Sequence, residues 1–219
     1  MDLPTLHTDE ASGLIHRGPS DVYVWKEQRQ YRTLDCKGRA VLDLGGHIGC
    51  FAKYALETLG AKKVTSVEPD PGNIFVFDAN HSNDDRVTLI AGAVASGGVK
   101  SVDLQLAKTY SSKNRTDRAI RGREVVAVPA FDFLALLRKT RASVIKCDIE
   151  GAEYLLDWKS MPDRVHAIAM EYHHFEDAQL VQQHELHGTL CGMGFRPVDP
   201  GRVELGIQFQ KVTTATYVR

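Results

Sequence analysis

Short apolar runs alternate with helical apolar patterns along most of the chain. The run at 41–44 is followed, from Ile48 onward, by apolar positions at helical spacing, and Gly60 gives that helix an end. The next run, at 64–67, is followed by a helix that Pro71 can begin. Strands that alternate with helices predict an α/β fold, with a mostly parallel sheet covered on both faces.

The same patterns predict the remaining elements. Further strands are expected at 87–91, 101–106, 124–128, 143–147, 165–171, 194–198 and 205–212. Further helices are expected at 130–139, 151–158 and 176–191. The turn sequence at 199–202 predicts that the last two strands form an antiparallel hairpin at one edge of the sheet. Alternation over 21–25 predicts a hairpin or extended arm at 20–34, so we divide the chain into an N-terminal arm or hairpin, 1–37, and a main domain, 38–219.

Composition sets broad limits on the class of protein. A chain of 219 residues with 43% apolar content suits one domain with a substantial core. Its formal net charge of −1 gives no overall attraction to nucleic acid or to a membrane surface. The chain starts with acids and has no bilayer-length apolar run, so we expect a soluble cytoplasmic protein without a membrane partner. Four widely spaced cysteines (Cys36, Cys50, Cys147 and Cys191) favour reduced, buried thiols.

A glycine-rich turn follows the first strand of the predicted core. Gly45, Gly46 and Gly49 lie between that strand and its helix, and Glu68 ends the next strand, where a carboxylate can bind ribose hydroxyls. The spacing falls one residue short of the dinucleotide pattern Gly-x-Gly-x-x-Gly. S-adenosylmethionine has no phosphate to seat on a helix N-terminus and needs only close backbone approach. The pattern therefore favours S-adenosylmethionine over a nicotinamide cofactor.

The segment 144–153 carries the pattern Lys-x-Asp-x-Glu-Gly-x-Glu, from Lys146 to Glu153. This pattern resembles the hallmark of the FkbM-type methyltransferases. Other segments resemble that family's motifs in the same order: 67–71, Asn73, Asn80, 91–94, 131–132 and 170–173. The resemblance implies a class I methyltransferase fold, that is, a Rossmann-like, doubly wound, mostly parallel seven-stranded sheet with an antiparallel edge hairpin. It also implies S-adenosylmethionine as cofactor and methyl transfer to a hydroxyl, often of a sugar or natural product.

The motifs and their positions at strand ends nominate the site residues. The expected catalytic residues are Lys146, Asp148, Glu150 and His173. The expected cofactor-binding residues are Asp43, Gly45, Gly46, His47, Gly49, Glu68, Pro69, Ala93, Val94 and Asp148. Asp148 or Glu150 would act as general base, with Lys146 steering the acceptor or stabilising a developing alkoxide. The alternative is an ion pair of Lys146 with Glu150 or Glu153 that only fixes the loop.

Several residues leave two interpretations open. Asp43 either contacts the cofactor or only stabilises the turn. His47 stands where the family generally has Asn, and it either binds the cofactor or substrate or only makes hydrogen bonds within the turn. Asp132 is more simply an acid at a helix start than a catalytic group. Glu171, His173 and His174 raise the question of a divalent metal beside Asp148. A metal is not favoured, because the spacing is loose and consecutive histidines on a strand point to opposite faces.

The segment 111–123 carries five basic side chains and one acid. It is either a lid over an anionic or polar acceptor or a solvated loop.

The sequence supports three functional hypotheses. The leading hypothesis is an O-methyltransferase with a small hydroxylated acceptor. A nucleic-acid methyltransferase, acting on a ribose 2′-hydroxyl or a base, is the second, and the near-neutral charge counts against it. A non-catalytic cofactor-binding module is the third, and the complete motifs count against it. The acceptor, the oligomeric state and the pathway do not follow from the sequence.

Overall fold

The computed structural model describes residues 4–107, 113–119, 121–198 and 212–219. In chain order the strands are β1 (His7–Thr8), β2 (Ile15–His16), β3 (Ala40–Leu44), β4 (Lys63–Glu68), β5 (Val87–Ala91), β6 (Ala93–Ala95), β7 (Ser101–Leu106), β8 (Glu124–Asp132), β9 (Val144–Cys147), β10 (Ala167–His173), β11 (Arg196–Pro197) and β12 (Val212–Val218). The helices are α1 (Pro19–Glu27), α2 (Cys50–Glu57), α3 (Pro71–His81), α4 (Phe133–Thr140) and α5 (Asp177–Gly192). Short 3-10 turns follow α1, at Gln28–Tyr31, and β9, at Ala152–Leu155.

A seven-stranded sheet forms the centre of the molecule, in the order β5-β4-β3-β9-β10-β12-β11. The five strands from β5 to β10 are parallel, whereas β12 pairs antiparallel with both β10 and β11. The predicted α/β class and mostly parallel sheet are therefore confirmed. The order departs from the simple doubly wound order because β12 is inserted between β10 and the edge strand. The strand order reverses between β3 and β9, and open α/β sheets bind ligands at the carboxyl ends of strands beside such a reversal.

Apolar side chains cover both faces of this sheet. On one face Leu42 and Ile145 pack with residues of α4 and α5, such as Phe133. On the other face Val41 and Val144 pack with residues of α2. Neighbouring positions of one strand thus belong to opposite layers, because side chains alternate along a strand. This two-sided burial explains why the central strands read as continuous apolar runs.

The predicted hairpin or extended arm at 20–34 is wrong, because this stretch forms α1 and a 3-10 turn. Pro19 occupies the first turn of the helix, where its missing N–H costs nothing. The buried side chains Asp21 and Gln28 lie seven residues apart, which is the spacing of one helical face. The alternation at 21–25 was too short to exclude that period. A hairpin does occur earlier in the chain, where β1 pairs antiparallel with β2.

Other predicted elements need smaller corrections. The helix expected at 151–158 is only the 3-10 turn at Ala152–Leu155. The helix expected at 130–139 begins at Phe133, because β8 continues to Asp132, whose carboxylate caps the helix by accepting from Ala135 N. Asp132 is therefore the helix-start acid that was the simpler alternative. The short strand β6 was missed; it pairs with β8, which also pairs with β7.

The last described strand of the sheet is Val212–Val218, which overlaps the strand predicted at 205–212 at one residue. Residues 205–211 and the predicted turn at 199–202 lie outside the described residues. All four cysteines are free, but Cys191 is exposed, contrary to the expectation of buried thiols. Within the described residues, no helix combines the length and the apolar character needed to cross a bilayer.

Candidate active site

The turn after β3 packs against the ends of two neighbouring strands. Gly45 has a φ of 85°, and a Cβ there would lie 1.9 Å from the carbonyl oxygen of Asp148. A Cβ on Gly46 would lie 2.9 Å from the Cβ of Ser66. Gly49 opens α2 with a φ of 89°, and a Cβ there would lie 2.3 Å from His81 Nε2. The three glycines thus let the backbone turn lie directly against its neighbours.

Glu68 ends β4 and is only 5% exposed. Its carboxylate accepts hydrogen bonds from His47 N (2.8 Å), Asp70 N (3.0 Å) and Asn73 Nδ2 (3.0 Å). Burial raises the pKa of Glu68 to about 7, although these hydrogen bonds favour the ionised form. The protein therefore holds a carboxylate in a fixed orientation at the edge of the cleft described below.

His47 is buried and lies in the turn with a φ of 49°. Its Nε2 is 3.5 Å from Arg17 Nη2 and 3.6 Å from Asp21 Oδ1. Burial lowers the pKa of His47 to about 4, so the imidazole is neutral at physiological pH.

Lys146 and Asp43 lie beneath the glycine turn. Lys146 Nζ donates to the Gly45 carbonyl at 2.8 Å and lies 3.4 Å from both Asp43 Oδ1 and Asp148 Oδ2. Asp43 is fully buried, and Ser66 Oγ donates to its second oxygen at 2.7 Å. Burial opposes the charge on Lys146, but Asp148 and then Asp43 raise its pKa, so it stays a cation. Among the described residues the ion pairs of Lys146 are with these two aspartates, not with Glu150 or Glu153 as the alternative hypothesis expected.

Three carboxylates surround one buried imidazole where β9 and β10 end. His173 Nε2 lies 3.8 Å from Asp148 Oδ1, 3.7 Å from Glu150 Oε2 and 3.9 Å from Glu171 Oε1. We call Asp148, Glu150, Glu171 and His173 the acid–histidine cluster. His173 is 2% exposed, whereas the side chain of Asp148 is 30% exposed and reaches the cleft.

Glu153 supports this cluster from behind. Its side chain is fully buried, and one oxygen accepts from Gly151 N at 2.8 Å. The other oxygen accepts from His173 N at 2.7 Å and lies 3.3 Å from His173 Nδ1. Glu150 sits in this loop with a φ of 53°, a strained conformation for a residue with a side chain. The loop after β9 is thus tied to the end of β10 and presents its acids in one geometry.

The charges of the cluster shift its ionisation. Burial alone would lower the pKa of His173, but the carboxylates, with Glu153 foremost, raise it to about 10. Burial raises the pKa of Glu150 and of Glu171 to about 7 in each case. Asp148 keeps a lowered pKa, since Lys146 and His173 outweigh its burial. Two carboxyls therefore titrate close to neutral pH, which suits proton transfer.

These groups border a cleft of about 790 Å³, within the range of sites that bind small molecules and cofactors. The predicted site residues that line it are Gly45, His47, Glu68, Pro69, Ala93, Val94, Asp148, Glu150 and His173. The other four, Asp43, Gly46, Gly49 and Lys146, pack behind the lining. Sequence analysis missed a second wall, formed by Tyr23, Glu27 and Gln30 from α1 and its 3-10 turn and by Thr213 and Thr214 from β12. No motif marks these residues, because only the fold brings them to the cleft.

Of the predicted lid, residues 113–119 and 121–123 are described, and the stretch 113–119 contributes side chains to the cleft. Lys113, Asn114 and Thr116 line it, and Asn114 Nδ2 also donates to Asp70. Arg115 points elsewhere: it is 3% exposed, pairs with Asp117, and stacks 3.5 Å above the Phe175 ring. Its role is therefore structural, which differs from the solvated or acceptor-facing cation that both hypotheses assumed. Residues 111, 112 and 120 lie outside the described residues.

Comparisons with known proteins agree with this geometry. Residues 43–197 match the model of a family described as "Methyltransferase FkbM domain", which is more than half of the chain. Comparison with curated protein sequences gives no match.

Solved structures show the same fold at low identity. A putative tRNA (m1A22) methyltransferase from Streptococcus pneumoniae, in complex with S-adenosyl-L-methionine, is 13% identical with a TM-score of 0.51, over 88% of this chain and 72% of that chain. Trm5b from Pyrococcus abyssi is 12% identical with a TM-score of 0.51, over 99% of this chain and 56% of that chain. At such identities the likeness concerns the fold alone.

Proposed function

The chain belongs to the FkbM methyltransferase family, and from this premise we propose that it uses S-adenosylmethionine to methylate a hydroxyl of a small polar molecule, such as a sugar or a natural product. The observation that carries the proposal is the acid–histidine cluster. In this cluster Glu150 and Glu171, each with a pKa of about 7, lie in a cleft large enough for a small molecule and next to the glycine turn after β3.

The cofactor side of the cleft fits S-adenosylmethionine. The turn at Gly45 offers bare backbone for close approach, and Glu68 offers a buried carboxylate suited to two ribose hydroxyls. Ala93 and Val94 form an apolar wall suited to an adenine ring. The bound cofactor supplies a methyl group on a positively charged sulfur, which is already an activated leaving group.

The acceptor side is built to position a hydroxyl and to take its proton. Asp148 stays ionised and faces the cleft, so it can accept a hydrogen bond from the acceptor. Glu150, with a pKa of about 7, receives the hydroxyl proton as the oxygen bonds to the methyl carbon and the sulfur–carbon bond breaks. Lys146 acts from behind the lining: it fixes Asp148 and the Gly45 turn relative to each other. It is a positioning residue rather than a group that touches the acceptor.

The charge of the cleft disfavours a polynucleotide acceptor. Its lining includes four acids, Glu27, Asp148, Glu150 and Glu171. Among the described residues, Lys113 is the one lysine or arginine that lines it. A phosphate backbone needs basic contacts, and this wall would repel it. The tRNA named for the Streptococcus neighbour therefore does not transfer to this chain. A non-catalytic binding module would not require the strained loop after β9, which holds Asp148, Glu150 and Glu153 around His173.

Two experiments test the proposal. Calorimetry should detect binding of S-adenosylmethionine and its demethylated product, and Glu68→Ala should weaken it by about 1.5–3 kcal/mol, because a buried charge-assisted hydrogen bond is lost. A panel of hydroxylated small molecules, incubated with cofactor and followed by mass spectrometry, should yield a methylated product. An oligonucleotide panel serves as the comparison. Methylation confined to the oligonucleotides would contradict the proposed acceptor class.

A further inference from the structure

The acid–histidine cluster has the composition of a metal site, and we propose that Asp148, Glu150 and His173 bind one divalent cation at the acceptor end of the cleft. Each of the three offers one ligand atom, and these atoms lie within 4.8 Å of one another. Around an ion with bonds of about 2.1 Å, octahedral ligand atoms lie about 3 Å or about 4 Å apart. Small side-chain rotations therefore bring all three onto one ion.

The orientation of His173 supports this assignment independently of the carboxylates. Its Nδ1 lies against Glu153, so Nε2 is the nitrogen directed into the cluster. Among the described contacts Nε2 makes no hydrogen bond, since its neighbouring oxygens lie at 3.7–3.9 Å. Histidines that bind metals almost always donate their other ring N–H to a carboxylate or carbonyl, which fixes the tautomer and the ring. Glu153 is fully buried and held by two backbone amides, so it is well placed to do this.

The balance of charge also calls for a cation. Among the described residues, Asp43, Asp148, Glu150, Glu153 and Glu171 lie around Lys146 and His173, and Lys113 on the cleft wall also acts on Glu150, so five acids face three basic side chains. Uncompensated carboxylates are costly to bury. A divalent ion would offset this excess and leave His173 neutral as a ligand.

The donor set indicates which ion to test. Carboxylate oxygens suit Mg²⁺, Ca²⁺ and Mn²⁺, and a single imidazole shifts the preference toward transition metals such as Mn²⁺. The three protein atoms leave coordination positions open on the cleft side. This step rests on the proposed function: the acceptor oxygen would occupy one of those positions, and the ion would lower the pKa of its hydroxyl. One oxygen of Glu150 can hold the ion while the other receives the proton.

Binding can be measured without knowing the acceptor. Chelator-treated, desalted protein is titrated with MnCl₂, and free Mn²⁺ is followed by electron paramagnetic resonance, with and without the demethylated cofactor. We expect about one ion per chain, displaced by excess Mg²⁺. Glu150→Gln and His173→Asn should each weaken binding by at least about tenfold. Glu27→Gln is the matched control, because it removes a carboxylate from the same cleft but none of the three ligand atoms, and it should weaken binding less than Glu150→Gln does.

Several outcomes would overturn the site. The first is that the folded parent protein binds no Mn²⁺ at about 1 mM, a concentration well above that needed by dedicated intracellular sites. Another is equal weakening by Glu27→Gln and Glu150→Gln, which would indicate diffuse attraction. Circular dichroism and binding of the demethylated cofactor show that each variant is folded. Failure of the proposed acceptor class would leave the Mn²⁺ titration unchanged, so the two proposals fail separately. With a known acceptor, turnover that persists in excess chelator would refute the role of the ion in the reaction.

Discussion

Cofactor affinity should depend on pH through Glu68, and Glu68→Gln should remove that dependence. In the free protein burial raises the pKa of Glu68 from 4.5 to about 7. Ribose hydroxyls donate hydrogen bonds to the carboxylate, so binding favours the ionised form and lowers its pKa. Protons must therefore leave Glu68 when cofactor binds below pH 7. From pH 8 to pH 6 the ionised fraction falls about tenfold, which corresponds to about 1.4 kcal/mol of binding free energy.

The assay is calorimetry with the demethylated cofactor at pH 6, 7 and 8, repeated in buffers with different ionisation enthalpies. The dependence of the heat on the buffer gives the number of protons released. The ligand has ionisable groups of its own, so each value is taken as a difference between parent and Glu68→Gln. The free energy of unfolding has its own dependence: since the folded pKa is raised, the contribution of Glu68 is present below pH 4.5 and is lost as pH rises through about 7.

The matched control is Glu150→Gln. Burial raises the pKa of Glu150 to about 7 as well, but this side chain lies in the acid–histidine cluster, at the proposed acceptor end of the cleft. It should therefore keep the pH dependence of the parent. The reasoning is refuted if parent and Glu68→Gln show the same change of affinity between pH 6 and pH 8, or if Glu150→Gln rather than Glu68→Gln abolishes it.

Three further predictions follow from the contacts. With a known acceptor, Glu150→Gln should lower kcat by about 10²–10⁴-fold with cofactor affinity unchanged; unchanged turnover would exclude it as the base. Glu153→Gln should lower stability by about 2 kcal/mol, or roughly 4–8 °C in Tm, because a fully buried acceptor of backbone hydrogen bonds is impaired. Lys113→Ala should raise the acceptor KM at constant Tm, whereas Arg115→Ala should lower Tm; the reverse would contradict their placement.

Periodicity predicted the parallel core because its strands are buried on both faces. The buried strands predicted at 41–44 and 143–147 match β3 and β9 except for one residue at their starts, and Pro71 begins α3 as expected. Periodicity failed at 20–34, since five alternating residues do not distinguish a strand from a partly buried helix. It also failed at 151–158, where Gly151 and the hydrogen bonds of Glu153 shape the backbone more than any apolar pattern.

The site was predictable to the extent that strand ends converge. Because β3, β4, β9 and β10 are parallel, motifs that end these strands meet at one edge of the sheet. That topology brings Gly45, Glu68, Asp148 and His173 to one cleft. The sequence could not show which of these residues line the cleft and which pack behind it. Lys146 and Asp148 are two positions apart, yet Lys146 lies beneath the glycine turn and Asp148 reaches the cleft.

The two walls of the cleft therefore differ in whether sequence motifs mark them. The wall of strand ends carries the motifs, since cofactor binding and methyl transfer require fixed groups in fixed places. The facing wall comes from α1 and β12, with Tyr23, Glu27 and Thr214 among its members, and it is tied to the cluster by Gln30 and Tyr31, which both donate to Glu171. This wall contributes no motif and lies at the proposed acceptor end of the cleft, so we expect acceptor specificity to reside there. Substitution of Glu27 or Thr214 should change which acceptor is methylated while cofactor affinity stays constant, and a parallel loss of cofactor affinity would place them instead in the cofactor site.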